Sequence, residues 1–213
     1  FFAVRAGGET LYTRAGGFSF DAAGKMVTAD GAIVQGWVAG PAGVNTGQAP
    51  VNIVLPQDAV SAAQATTQAS VTGNLPSSAA TGEEIVRDIT VYDAEGVATS
   101  LSLTFTRTAT GWDVTEAGSG ATGSLTFTDG VQSGGLTLNA GGIAVDLSAV
   151  TGYADLKTVA ITEQDGAAAG TLQGYGITKD GSVIGTFSNG RTETLAKIAM
   201  VTFANPEGLE KAG

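Results

Sequence analysis

The sequence predicts an all-β protein of two domains, the second inserted into the first. Three observations carry this. Short segments rich in Val, Thr, Ser and aromatic residues recur along the chain, and such residues suit a pleated, half-buried surface. Turn pairs of the Asp-Gly, Asn-Gly and Gly-Gly type separate them. Glycine supplies 32 of the 213 residues, about twice its ordinary share, and neither a sustained heptad pattern nor a long amphipathic helix is present. Apolar residues make up 43% of the chain, enough to build a core.

The elements follow in order. Phe1 to Arg5, a break at Gly7-Gly8 and Glu9 to Arg14 read as a hairpin. Phe18 and Phe20 share one face of the next strand. Asp21-Ala22-Ala23-Gly24 is a turn, Lys25 to Thr28 a strand, and Asp30-Gly31 a two-residue hairpin turn. Ala32 to Val38 is the next strand and carries Trp37. From Gly40 to Pro56 the prolines at 41, 50 and 56 predict a connector with at most an edge strand at Val51 to Leu55, because proline cannot donate to a ladder. Gln57 to Ser70 is read as an extended link; Thr66 and Thr67 oppose a helix there.

The clearest signal lies in the middle. Leu101, Leu103 and Phe105 alternate with Ser100, Ser102, Thr104 and Thr106, the period of a strand with one buried face. Ile85 to Tyr92 and the turn Asp93-Ala94-Glu95-Gly96 precede it. Shorter strands follow near Trp112 to Val114, Leu125 to Thr128, Leu136 to Leu138 and Ile143 to Leu147, a spacing that suggests a barrel or sandwich. After Asp165-Gly166 come Leu172 to Thr178, the turn Lys179-Asp180-Gly181-Ser182, Val183 to Ser188, the turn at Asn189-Gly190, and a long strand from Thr194 to Phe203 that Asn205-Pro206 ends. The expected inner domain is 1–65 with 168–213, and the expected inserted barrel or sandwich is 66–167.

Composition excludes several kinds of chemistry. The chain has no Cys and no His, which removes disulfides, thiolate zinc sites, Cys nucleophiles and Ser-His-Asp triads. A formal charge of -10 opposes binding to nucleic acid or anionic membranes. No apolar run approaches the ~18 residues that span a bilayer. Glu83 and Glu84, as neighbours on a strand, point to opposite faces and cannot flank one glycosidic bond. Glu163 and Asp165 read as a solvated edge. Asp21-Ala22-Ala23-Gly24 and Asp93-Ala94-Glu95-Gly96 lack the ligands of a calcium loop, and no phosphate-binding loop occurs. No enzyme activity, cofactor or metal is expected. Trp37 and Trp112 are read as core or domain-junction packing.

Two motif sets at opposite ends then carry a resemblance. Near the start, Phe1-Phe2-Ala3-Val4-Arg5 precedes Tyr12-Thr13-Arg14-Ala15-Gly16, and Phe18, Asp21, Gly24, Val27 and Gly31 lead to Val34-Gln35-Gly36-Trp37. Near the end, Gly176-Ile177-Thr178-Lys179-Asp180-Gly181-Ser182-Val183 runs into Gly185-Thr186-Phe187-Ser188-Asn189-Gly190, with Phe203-Ala204-Asn205-Pro206-Glu207-Gly208-Leu209 beyond. This pattern resembles the bacterial flagellar hook protein family, within the hook and rod axial proteins. Val91-Tyr92-Asp93-Ala94-Glu95-Gly96 is similar to the family's inserted outer domain. The positions that match the motifs are Tyr12, Gly16, Gly36, Trp37, Asp180, Gly181, Ser188, Asn189, Gly190, Asn205, Pro206, Gly208 and Leu209.

The resemblance implies a subunit of the hook, an extracellular helical tube that bends while it passes motor torque to the filament. It implies self-assembly, neighbours among the rod, hook-cap and hook-filament junction proteins, and export by the flagellar type III apparatus. The chain begins without Met and lacks the family's terminal helical segments, so it reads as the exposed part of a longer protein and is expected to be monomeric. A distal rod or other axial protein is the near alternative, which the large insert disfavours. An extracellular β-sandwich adhesin or carbohydrate-binding module is the distant one, and it would need exposed aromatics lining a groove.

Overall fold

Strand-forming residues at short intervals give the computed structural model nineteen strands and no helix among its described residues, which are all but 41, 56–57, 206–209 and 211–213. The first stretch supplies β1 (Phe2–Ala6), β2 (Glu9–Thr13), β3 (Ser19–Phe20), β4 (Met26–Val27), β5 (Ile33–Val38), β6 (Val51–Asn52) and β7 (Val60–Ser61). The middle supplies β8 (Gln68–Asn74), β9 (Glu84–Tyr92), β10 (Ala98–Arg107), β11 (Gly111–Glu116), β12 (Thr122–Thr128), β13 (Val131–Gln132), β14 (Thr137–Ala140), β15 (Ile143–Thr151) and β16 (Ala160–Gln164). The last stretch supplies β17 (Gly170–Ile177), β18 (Ser182–Phe187) and β19 (Thr192–Ile198). Two compact units result: Phe1–Ser61 with Gly170–Gly213, and Ala62–Ala169.

In the first unit the main path of the sheet runs β2-β1-β5-β19-β18-β17-β7. β5 is its hub. It pairs with β1 at Ile33 and Val34 and with β19 from Gly36 to Val38. It also pairs with β4 at Ile33 and with β6 at Gln35 and Gly36. The core gathers Val4, Met26, Val34, Ile53, Leu55, Val183, Ala196 and Ile198. The stretch expected to hold at most an edge strand is therefore interior: Met26 N–H donates to Ile53 O, Ile53 N–H to Val34 O and Leu55 N–H to Gly24 O. Pro50 lies outside this ladder, so the ladder loses no donor to it.

The last strand is also shorter than expected. β19 stops at Ile198, and the following residues pair with the chain start: Ala3 N–H donates to Ala199 O and Val201 N–H to Phe1 O, with Phe2 opposite Met200. An extended chain can change partner without changing conformation, which periodicity does not register.

The second unit is a sandwich. One sheet runs β13-β12-β11-β10-β9, the other β14-β15-β8-β16. Leu101, Leu103 and Phe105 enter a single core with Trp112, Val114 and Leu125 from their own sheet and Val71, Leu138, Val145 and Leu147 from the other. β8 lies parallel to β15 and antiparallel to β16. Most of it fell beyond the predicted link, because Ala, Ser, Thr and Gly dominate it and give little alternation. Asn74 at its end is buried and fully engaged: its amide donates to Tyr153 O and Leu156 O and accepts from Tyr153 N–H and the Thr151 hydroxyl.

Five of the turns obey one rule. At Asp21, Thr28, Asp93, Thr178 and Phe187 the N–H bonds to the carbonyl four residues on, and the glycine three residues on donates back. Those glycines, 24, 31, 96, 181 and 190, have φ between 73° and 83°. This is a type I turn closed by a left-handed residue, a three-residue hairpin loop. The two-residue turn expected at Asp30-Gly31 is corrected accordingly: only the glycine is left-handed. True two-residue turns stand at Gly7-Gly8, Asp129-Gly130 and Gly141-Gly142, where both residues have positive φ and the flanking residues pair.

Candidate functional site

The motif positions near the start converge on β5. Gly36 lies between Ile198 and Val51 in two ladders at once. A Cβ there would stand 2.2 Å from Lys197 O and 2.7 Å from Ile53 Cδ1, so no larger residue fits. Trp37, its neighbour, is half-buried, and its indole N–H donates to Gln48 O at 2.7 Å. Packing inside a core describes Trp112, which is 1% exposed, but not Trp37.

Asp180 and Gly181 form the β17–β18 turn. The Asp180 carboxylate accepts from the Thr178 hydroxyl at 2.5 Å, the Ser182 hydroxyl at 2.8 Å and Lys197 Nζ at 3.3 Å. These donors, Thr178 first, hold its carboxyl far below the usual carboxylate range. Gly181 provides the left-handed corner, and its carbonyl accepts from Ile198 N–H, tying the turn to the end of β19.

Ser188, Asn189 and Gly190 sit where the chain leaves the first unit and returns to it. β7 and β17 pair there, Ser61 opposite Gly170 and Val60 opposite Thr171. Ser188 N–H donates to Thr171 O, and the Ser188 hydroxyl accepts from Thr171 N–H at 3.0 Å. The Asn189 side chain lies on Gly170, where a Cβ would stand 2.6 Å from Asn189 Cγ. Its Nδ2 reaches the hydroxyl of buried Ser61 at 3.5 Å, and that hydroxyl donates to Glu193 at 2.5 Å. The motif thus clamps both passages of the chain.

Tyr12 marks the meeting of the chain ends. Its ring packs edge-on against Phe203 at 4.9 Å, Phe203 packs against Phe1 at 5.5 Å, and the Arg14 guanidinium lies 4.6 Å from the Phe1 ring centre. Gly16 makes only ordinary contact with Phe2 and has no steric need to be glycine. Asn205 is exposed. Pro206, Gly208 and Leu209 lie outside the described residues. Ser61, Gly170, Glu193, Lys197 and Phe203 complete these arrangements without having been singled out as sites. Their partners are far away in sequence, so no local pattern marks them.

Two of the carboxylates set aside earlier, Glu83 and Asp165, have structural partners. Glu83 pairs with Lys157 at 3.1 Å. Asp165 accepts from Thr67 N–H, the Thr67 hydroxyl and Gln68 N–H. Burial pushes its carboxyl up, but these bonds outweigh it and hold the group below the usual value. Among the described residues no three Asp or Glu converge as a metal site.

Comparison with known proteins gives these arrangements a context. Residues 1–73 match the flagellar hook protein FlgE/F/G D1 domain. The whole chain is similar to the flagellar hook protein FlgE of Treponema pallidum, 28% identical over all of this chain and 62% of that protein. It is similar to the same protein of Escherichia coli, 29% identical over 99% of this chain and 61% of that one. The chain therefore spans about three-fifths of the length of these relatives. The crystal structure of Helicobacter pylori flagellar hook protein FlgE2 shares the fold, with a TM-score of 0.63, 14% identity and coverage of 96% of this chain and 84% of that one. The relatives favour neither the rod nor the adhesin alternative. With its hook D1 match at the start and similarity that runs through both units, the chain is similar to flagellar hook proteins along its whole length.

Proposed function

We propose that this chain forms the exposed β part of a flagellar hook subunit, and that copies of the complete protein assemble into the bending tube that carries torque. The observation that carries this reading is similarity to hook proteins along the whole chain, both units included. In the same reading the first unit is the inner domain and the Ala62–Ala169 unit the outer one. Rod, cap and junction proteins are the neighbours, and the type III apparatus is the export route. The motif residues serve as scaffold: Gly36 holds the hub, Asp180 the β17–β18 turn, and Ser188-Asn189-Gly190 the passage between units. No residue is assigned a catalytic role.

A joint that bends while it turns needs neighbours that shift without detaching. Contacts below about 1,000 Å², polar and with few ion pairs, behave this way better than large apolar ones. Only 14% of the residues are charged, and two ion pairs are found among the described residues. Electron microscopy of this chain beside a chain extended at both ends by the relatives' terminal segments tests the proposal. Curved tubes from the extended chain alone are expected. Straight rods, absence of any polymer, or large apolar contacts between outer units in the tube would overturn it.

A further inference from the structure

The two units carry very different charge. The first has seven Lys and Arg against eight Asp and Glu; the second has three against twelve, so the formal charges are -1 and -9. Nor are the second unit's carboxylates neutralised locally. Arg87 donates to the carbonyls of Val159 and Val86, and Arg107 to those of Thr108, Gly111 and Ser77. Lys157 makes the unit's one ion pair found among the described residues, with Glu83. Both arginines are spent on backbone oxygens, while ten of the twelve acids are exposed.

We propose that the Ala62–Ala169 unit is an electrostatic spacer: copies set side by side repel one another, and that repulsion stiffens the assembled tube against bending. This rests on the hook reading. Like charges on facing surfaces interact over a Debye length, ~8 Å at physiological salt and ~30 Å at 0.01 M. When a tube bends, copies on its inner side approach within that range and push back. The apolar surface a sticky contact would need is scarce on this unit, where the exposed large apolar residues, such as Val86, Val97, Val131 and Leu156, are scattered along the chain.

Glu84, Asp88, Glu95 and Glu163 test the idea with little risk to folding, since they are exposed and their carboxylates hold no element in place. The variant E84Q/D88N/E95Q/E163Q takes the unit from -9 to -5. Repulsion scales with the product of the two charges, so it falls to about a third. Static light scattering on the 213-residue chain measures repulsion directly. The salt-dependent part of its second virial coefficient is expected to fall to about a third between 0.01 M and 0.2 M NaCl. The persistence length of tubes of the extended protein is expected to drop with salt in the wild type and to respond about a third as much in the variant. An unchanged virial coefficient overturns the repulsion. Tubes whose stiffness ignores both salt and substitution overturn the spacer role. Failure of the wild-type extended protein to form tubes overturns the hook reading, and the spacer role with it, whatever light scattering shows.

Discussion

The two units solve the same problem, a stable β-structure without disulfides, with different emphasis. The Ala62–Ala169 unit buries bulk: Phe105 and Trp112 fill a sandwich core that two sheets share. The other unit has no buried tryptophan and a thinner core. It depends on a hub strand with four neighbours and on side chains that clamp passing segments, while left-handed glycine corners serve both units. Stability by volume tolerates changes of sequence that preserve volume. Stability by backbone fit does not, and the residues that carry the hook resemblance fall mostly in the second kind of unit.

The sharpest way to break this contrast is Trp112→Ala. Truncating a fully buried aromatic costs about 3–5 kcal/mol. Hydrogen exchange should show β9 to β12 losing protection while β5, β18 and β19 keep theirs; loss in both units together would mean that they do not fold separately. Gly36→Ala is the counterpart in the other unit. A Cβ 2.2 Å from a backbone carbonyl forces strands apart, at a cost of about 1–3 kcal/mol or more. The denaturation midpoint of the first unit should fall while exchange in β10 and β11 stays unchanged.

Asn189→Ala removes the clamp. About 1 kcal/mol of hydrogen bonding is lost, and amide exchange near Gly170 and Thr171 should quicken about fivefold with the sheet otherwise intact. The smallest effect is expected from Asp180→Asn, read through pH. The folded-state carboxyl lies below its ordinary value of 3.8. Its contribution is therefore complete above that pH and declines as acid protonates the group. The wild type should lose more of its urea midpoint than the variant on going from pH 7 to pH 3; equal losses would show that the turn does not depend on the charge.

Much of the local structure was legible. The alternation of Leu101, Leu103 and Phe105 is the burial pattern of β10. The glycines of Asp-x-x-Gly and Thr-x-Asp-Gly mark their turns because few other residues accept a positive φ. What escaped was weakly patterned or had its partner elsewhere. β8 has small residues and shows its importance only between β15 and β16. Ile53 sits between prolines and looked like connector, yet its carbonyl and N–H bond in opposite directions.

The sequence by itself determined that the chain is β, where it turns, which chemistry it lacks, and which family it resembles, because these depend on residue type and short spacing. Only the tertiary structure decided that β5 is the hub, that Gly36 must be glycine, and that Asn189 clamps Ser61 and Gly170 across 128 and 19 positions. Those facts are set by backbones that approach one another from distant parts of the chain, and the steric limits they impose are felt only once the chain has folded.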